Sequence, residues 1–248
     1  MLFPNRARSK SQTKRYLINH STYRRFNMQK KTLVDALTDI TGGLSNPRKM
    51  PEFAFSTPAI KCNVGSKLRE VLGSVCHECY AMKGNYNWPG VKNALMRRYD
   101  SLYHPMWVTA MTMLIRIKVK KYFRWFDSGD LDSVQCLRNI TEVCNGTPII
   151  KHWLVTKEQR TVRKFLDEGG IIPDNLVIQM SGYMLDGGIV KGFEDCNQIT
   201  HHLVHTDRDK ARGHICPVED GDEVTSCKQA NCYACWDRNV NVVTSGLH

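Results

Sequence analysis

The sequence predicts an α/β fold, a compact or partial (β/α) barrel flanked by a basic N-terminal arm and a C-terminal cysteine-rich metal-binding tail. Three observations predict it. Short apolar runs alternate with helical ones through the middle of the chain, most of the ten cysteines fall in two clusters, and the surplus positive charge sits at one end. At 248 residues the chain holds one domain with appendages. The expected division is an arm and linker over residues 1–50, an α/β catalytic core over 51–210, and a metal-binding tail over 211–248 packed on that core. Hydrophobic content of 42% excludes a wholly disordered chain.

Nine bases and no acid occupy residues 1–31, and the other 26 bases nearly balance all 24 acids, so most of the net +11 lies in the arm. Arg6, Arg8, Lys10, Lys14, Arg15, Arg24, Arg25, Lys30 and Lys31 interleave with Tyr16, Tyr23 and Phe26. Cations with aromatics suit phosphate contact and base stacking, so DNA or tRNA is the expected partner. No apolar run approaches the roughly 18 residues of a membrane span. The arm also lacks the apolar core of a secretory signal, so no membrane is expected and the cytoplasm is the expected location.

Lys31 to Ile40 reads as an amphipathic helix stopped by Gly42-Gly43, and Phe53 to Thr57 as a strand halted by Pro58. Val91 to Val119 is helical, with Pro105 kinking or dividing it. Tyr122–Phe126, Ile149–Val155, Leu176–Met180 and His201–His205 read as strands. Val134–Val143 and Lys157–Glu168 read as helices, the first capped by Asp132 or Ser133 and the second closed by Gly169-Gly170. About five strands separated by helices imply parallel pairing, in a partial barrel first and an open α/β sheet second. Function then gathers at the carboxyl ends of the strands, where Asp127-Ser128-Gly129-Asp130, Thr156-Lys157, Ser181-Gly182-Tyr183 and Thr206-Asp207 all fall.

Two cysteine groups point to metal, because clustered C-x-x-C pairs without an export signal bind ions more often than they form disulfides. Cys216, Cys227, Cys232 and Cys235, with His248 as a fourth or competing ligand, suit tetrahedral zinc, and iron–sulfur would use the same thiolates. Cys62, Cys76 and Cys79 can hold three corners of a [4Fe–4S] cluster, or zinc completed by His77 or a distant residue. Cys136, Cys144 and Cys196 read as buried thiols. Asp127 is the candidate acid/base or base-holding carboxylate and Asp207 the candidate nucleophile.

The run Cys76-His-Glu-Cys-Tyr-Ala-Met-Lys-Gly-Asn-Tyr86, then Arg124-Trp-Phe-Asp-Ser-Gly-Asp130, then Cys227-x4-Cys-x2-Cys-Trp236 and a last His resembles the phage gene product 88 family, over about residues 50–248. A phage protein would work in the host-cell cytoplasm.

Asp127-Ser-Gly-Asp130 also resembles the base-holding Asp-Ser-Gly-Gly-Phe-Gln segment of the tRNA-guanine transglycosylases and their phage relatives that place 7-deazaguanines in DNA. That likeness implies Asp207 as nucleophile, Ser128, Gly129, Asp130, Ser181 and Gly182 as substrate contacts, and zinc on Cys227, Cys232, Cys235 and His248. Cys76 to Tyr80 is similar to the cluster loop of the radical S-adenosylmethionine enzymes, and Ser128-Gly129-Asp130 to their Gly-Gly-Glu segment. The gap of thirteen between Cys62 and Cys76 departs from that superfamily's three.

The expected function is therefore a base-modifying enzyme, a transferase of the DNA-guanine transglycosylase type. It would swing guanine out of the helix and exchange it for a free 7-deazaguanine base through an Asp207 glycosyl intermediate. The alternatives are a radical S-adenosylmethionine [4Fe–4S] enzyme modifying a nucleic acid or nucleoside, and a non-catalytic zinc-stapled DNA-binding protein.

Overall fold

The computed structural model describes residues 20–193, 196–218 and 223–247, with side chains from residue 28 onward. Most of the arm's bases and His248 lie outside the described residues. The chain separates into two units, residues 1–35 and 36–248. Helix α1 spans His20–Thr41. It begins well before Lys31 because no proline or glycine interrupts that stretch.

The second unit is built on seven parallel strands: β1 Ala54–Phe55, β2 Tyr122–Trp125, β3 Lys151–Thr156, β4 Leu176–Ser181, β5 Ile199–His205, β6 His214–Ile215 and β7 Val242–Gly246. Their order is β1-β2-β3-β4-β5-β7-β6, so the first five lie in chain sequence and β1 and β6 form the edges. The α/β class is as expected. The count of about five strands falls short, because β6 and β7 come from the segment assigned to a separate tail. Their two and five residues, the first set between Gly213 and Pro217, offer too short an apolar pattern to read as strands.

Between strands run α2 Asn63–Leu68, α3 Pro89–Ser101, α4 Trp107–Lys118, α5 Val134–Gly146 and α6 Gln159–Asp167. Pro105 does divide the long helical stretch, since α3 ends and α4 begins on either side of it. Ser133 caps α5, its Oγ accepting from Cys136 N at 3.1 Å. Gly169, at φ 76°, closes α6, and Gly170 N donates to Phe165 O at 2.8 Å.

Period-two alternation sorts the strand side chains onto two faces. Phe123, Trp125, Leu154, Ile178 and Met180 meet Trp107, Met111, Leu137, Ile140, Val162 and Phe165 from α4, α5 and α6 in the main core. Cys136 and Cys144 are buried there, as expected, whereas Cys196 is only half-buried at the edge of this core, and burial pushes the Cys136 thiol up to about 12. Tyr122 and Trp153 point the other way, where Trp236 covers them, and Tyr233 stacks on Tyr122 at 4.3 Å. One face thus carries α4, α5 and α6, and the other carries Tyr233, Cys235 and Trp236 of the cysteine-rich segment.

His152 sits within the main core with no exposed surface. Thr147 Oγ1 donates to Val143 O at 2.7 Å, so the 2.8 Å bond between Thr147 and His152 is donated by Nε2, and Nδ1 is bare. A second proton would bury an unpaired N–H. Desolvation accordingly lowers this histidine from 6.5 to about 3. The folded state then binds fewer protons than the unfolded one across that window, so stability falls as pH drops below about 6.5. Between pH 7 and 5 this one group is expected to cost about 2 kcal/mol. Urea denaturation of wild type and His152→Asn checks it: the variant should lose markedly less over the same interval.

Candidate functional site

Because every strand is parallel, the loops after β1 to β5 share one rim. The β1 loop carries the first cysteine group and is tied down along its length. Glu158, buried at the end of β3, accepts from Val64 N at 2.8 Å and so holds the start of α2 beside Cys62. Ser66 Oγ donates to Cys62 O at 2.5 Å, and Val75 N to Tyr183 O at 2.9 Å, which docks the loop on the chain after β4.

The structure brings Cys62, Cys76 and Cys79 together. A Cβ at Gly65 would lie 3.6 Å from Cys76 Sγ and 3.7 Å from Cys62 Sγ, so both sulfurs converge on the space that the missing side chain leaves. Burial pushes the Cys62 thiol up, and Asp130, Cys79, Cys76 and Glu158 add to the rise. Burial raises Cys76 too, opposed chiefly by Lys157 and also by Arg69. His77 turns away from a ligand role at one nitrogen, with Nδ1 2.8 Å from Arg69 O.

Asp130 reaches from the β2 loop into this group and is fixed by three donors. Thr156 Oγ1 and Leu131 N bond to Oδ1 at 2.5 and 2.7 Å, and Lys157 N bonds to Oδ2 at 2.9 Å. A carboxylate accepts about four hydrogen bonds, so Oδ2 keeps an open direction. Lys157 is buried, and its Nζ donates to Ser181 Oγ at 2.5 Å. Desolvation lowers its pKa, while Cys76, Asp130, Cys79 and Cys62 raise it. Lys157 belongs to the strand-end residues that the sequence picks out without assigning it a role, and Glu158 is an addition. The polar run Thr156-Lys157-Glu158 directly after an apolar strand was the signal for them.

The other expected contacts are placed as follows. Thr57 N donates to Ser128 O at 3.0 Å and Ser128 Oγ to Thr57 O at 2.9 Å, so Ser128 binds the β1 and β2 ends together. Gly129 has φ 79°, and a Cβ there would lie 2.0 Å from Thr57 Oγ1 and 2.7 Å from Thr57 O. Gly182 N continues the β4–β5 pairing to His202 O at 2.8 Å. Asp127 accepts from Tyr86 OH at 3.1 Å and Ser45 Oγ at 3.4 Å. Asp207 follows β5, two strands beyond β2's neighbour β3. It is exposed, and Oδ1 accepts from Asp209 N at 3.1 Å as the cap of a short 3-10 turn. The carboxylate that organises this loop is Asp186, held down at about 2 by Thr206 and then Lys210. Asp127 and Asp207 therefore make separate sets of bonds.

The second cysteine group lies against the opposite face of the sheet, where the short 3-10 helix Ala234–Trp236 packs on Tyr122 and Trp153. Cys216, Cys227, Cys232 and Cys235 line one cavity of about 10 Å³, with His214, Trp236 and Val243. Burial pushes Cys227 up to about 11 and Cys235 well above the usual thiol range, and in each case neighbouring thiols of the group add to the rise. His248 lies outside the described residues. Among the described residues no three His, Cys, Asp or Glu side chains are arranged so that they could hold a metal ion as they stand.

Over residues 24–238 the sequence matches the protein family described as Gene product 88. The chain belongs to that family. The Gene product 88 match takes in both cysteine groups, Asp130 and Lys157, and stops short of His248. No curated protein and no solved structure matches the chain, and the comparisons lend no support to a transglycosylase relationship. No helix among the described residues is long and apolar enough to cross a membrane.

Proposed function

We propose that this Gene product 88 chain is a radical S-adenosylmethionine-type enzyme that modifies a nucleic acid or nucleoside, on a partial (β/α) barrel. One observation carries the reading: three cysteine thiols, a buried lysine and a buried-loop carboxylate meet at the carboxyl ends of β1 to β4.

The donor set fits a [4Fe–4S] cluster held by Cys62, Cys76 and Cys79. Three thiolates beside Lys157 and Arg69 suit a charged cofactor in a desolvated loop, and three ligands leave one iron for a small molecule. When bound, such a cluster would supply an electron to S-adenosylmethionine. Lys157 Nζ, steered by Ser181, would hold the carboxylate of that amino-acid ligand, and Asp130 Oδ2 would hold its ammonium. Glu158 and Thr156 keep both groups in register by fixing the loops that bear them.

Four thiols with His214 around one small cavity suit structural zinc there. The basic arm supplies phosphate contacts, and its affinity for DNA or RNA falls steeply with salt. A base-exchange reaction would need Asp127 and Asp207 over one cavity. The exposed, capping carboxylate of Asp207 favours the radical reading instead.

Anaerobic purification tests the proposal. Wild type should be brown with about four irons per chain. Cys76→Ser should lose them, and Cys232→Ser should keep them. Colourless wild-type protein after anaerobic reconstitution with iron and sulfide rejects the assignment.

A further inference from the structure

We propose that His214 is a working member of the C-terminal thiol centre, the residue that steadies Cys232 and replaces it when its sulfur is lost. This rests on the reading of Cys216, Cys227, Cys232 and Cys235 as an ion site. His214 Nε2 lies 3.2 Å from Cys232 Sγ, and His214 shares the small cavity with all four cysteines.

The placement follows from the strand. His214 pairs with Val243 across β6 and β7, and Cys216 N continues the same ladder to Thr244 O at 2.7 Å. Residues two apart on extended chain face the same side, so one strand delivers both His214 and Cys216 to the cavity. Cys227, Cys232 and Cys235 arrive from the following loop. Five potential donors thus line one small cavity, one more than a four-coordinate ion would need.

The division of labour follows from exposure. His214 and Cys232 also line an open hollow of about 610 Å³ beside Tyr122, Tyr233 and Asn231, whereas Cys216, Cys227 and Cys235 do not. Cys232 is the cysteine of the four that also faces this hollow, and an N–H···S bond from His214 is the interaction available to hold its thiolate in place. Tetrahedral zinc ligands, one N and one S at about 2.1 and 2.3 Å from the ion, stand only slightly farther apart than 3.2 Å. The ring therefore stands at ligand distance beside Cys232, and it can shift toward the ion when the sulfur is removed.

Titration of the full-length protein with Co²⁺, read by its sulfur-to-metal charge-transfer and tetrahedral d–d bands, tests the inference. His214→Ala should keep the four-thiolate spectrum but bind roughly 10-fold more weakly. Cys232→Ser should still bind, with a spectrum of three sulfurs and one nitrogen, and the double variant should lose tetrahedral binding. Equal affinity of Cys232→Ser and the double variant overturns the role of His214. Loss of the nitrogen donor on combining Cys232→Ser with His248→Ala, in place of His214→Ala, assigns it to the terminus and overturns it too. Wild-type protein without a charge-transfer band instead removes the ion site itself, a separate failure.

Discussion

Gly129→Ala is expected to lower the stability of the chain by about 3 kcal/mol, from two additive sources. The backbone at φ 79° is one a residue with a Cβ adopts only at a cost of roughly 1–2 kcal/mol. The added carbon also meets Thr57 Oγ1 at 2.0 Å and the Thr57 carbonyl at 2.7 Å, overpacking worth roughly 1–3 kcal/mol. Thr57 cannot simply retreat, because its N–H and C=O are both bonded to Ser128. Chemical denaturation measures the loss. Adding Thr57→Ala should recover only part of it, since the backbone carbonyl still blocks the carbon. Full recovery would show that the hydroxyl alone was the obstacle, and a loss under about 0.5 kcal/mol would show that the loop relaxes freely. Asp130 is the next residue, so the same substitution should also weaken S-adenosylmethionine binding by the reconstituted protein.

That dependence explains what the sequence could and could not reveal. Four central strands, the break at Pro105, the Ser133 cap and the Gly169-Gly170 stop were legible, because each rests on local apolar period or on backbone chemistry. The cysteine groups were legible by their spacing. The roles of single polar residues were not, since each is decided by contacts across the sheet. Asp207 looks like a strand-end nucleophile, yet it turns back to cap its own 3-10 turn. Ser128 looks like a ligand contact and serves to lock β1 to β2. Lys157 is marked in sequence only by its place at a strand end, and its role is set by partners 24 to 95 positions away, Ser181 and the three cysteines. His214 likewise meets Cys232 only because β6 joins β7 in the sheet.

Lys157→Met is expected to weaken S-adenosylmethionine binding by about 100-fold while leaving the iron content unchanged. Met matches the length and apolar stem of Lys but removes the charge. The three thiols and the loop bonds that present them do not run through the Lys157 ammonium: Asp130 is held by Thr156 Oγ1 and two backbone N–H groups, and α2 by Glu158. A cluster should therefore still assemble. The ligand carboxylate, however, would enter a desolvated pocket that already holds Asp130 and the thiolates, with its counter-charge gone. Removing one partner of a buried charge pair costs about 2–5 kcal/mol, and each 1.4 kcal/mol is about tenfold in affinity. Lys157→Gln separates charge from hydrogen bonding, because an amide can still donate to Ser181 Oγ. If the ammonium neutralises the ligand, Gln binds as poorly as Met in equilibrium titrations of reconstituted protein. If Lys157 only braces the β3 loop against β4, Gln restores binding while Met does not. Wild-type affinity in both variants would place the carboxylate elsewhere and remove Lys157 from the proposed ligand site.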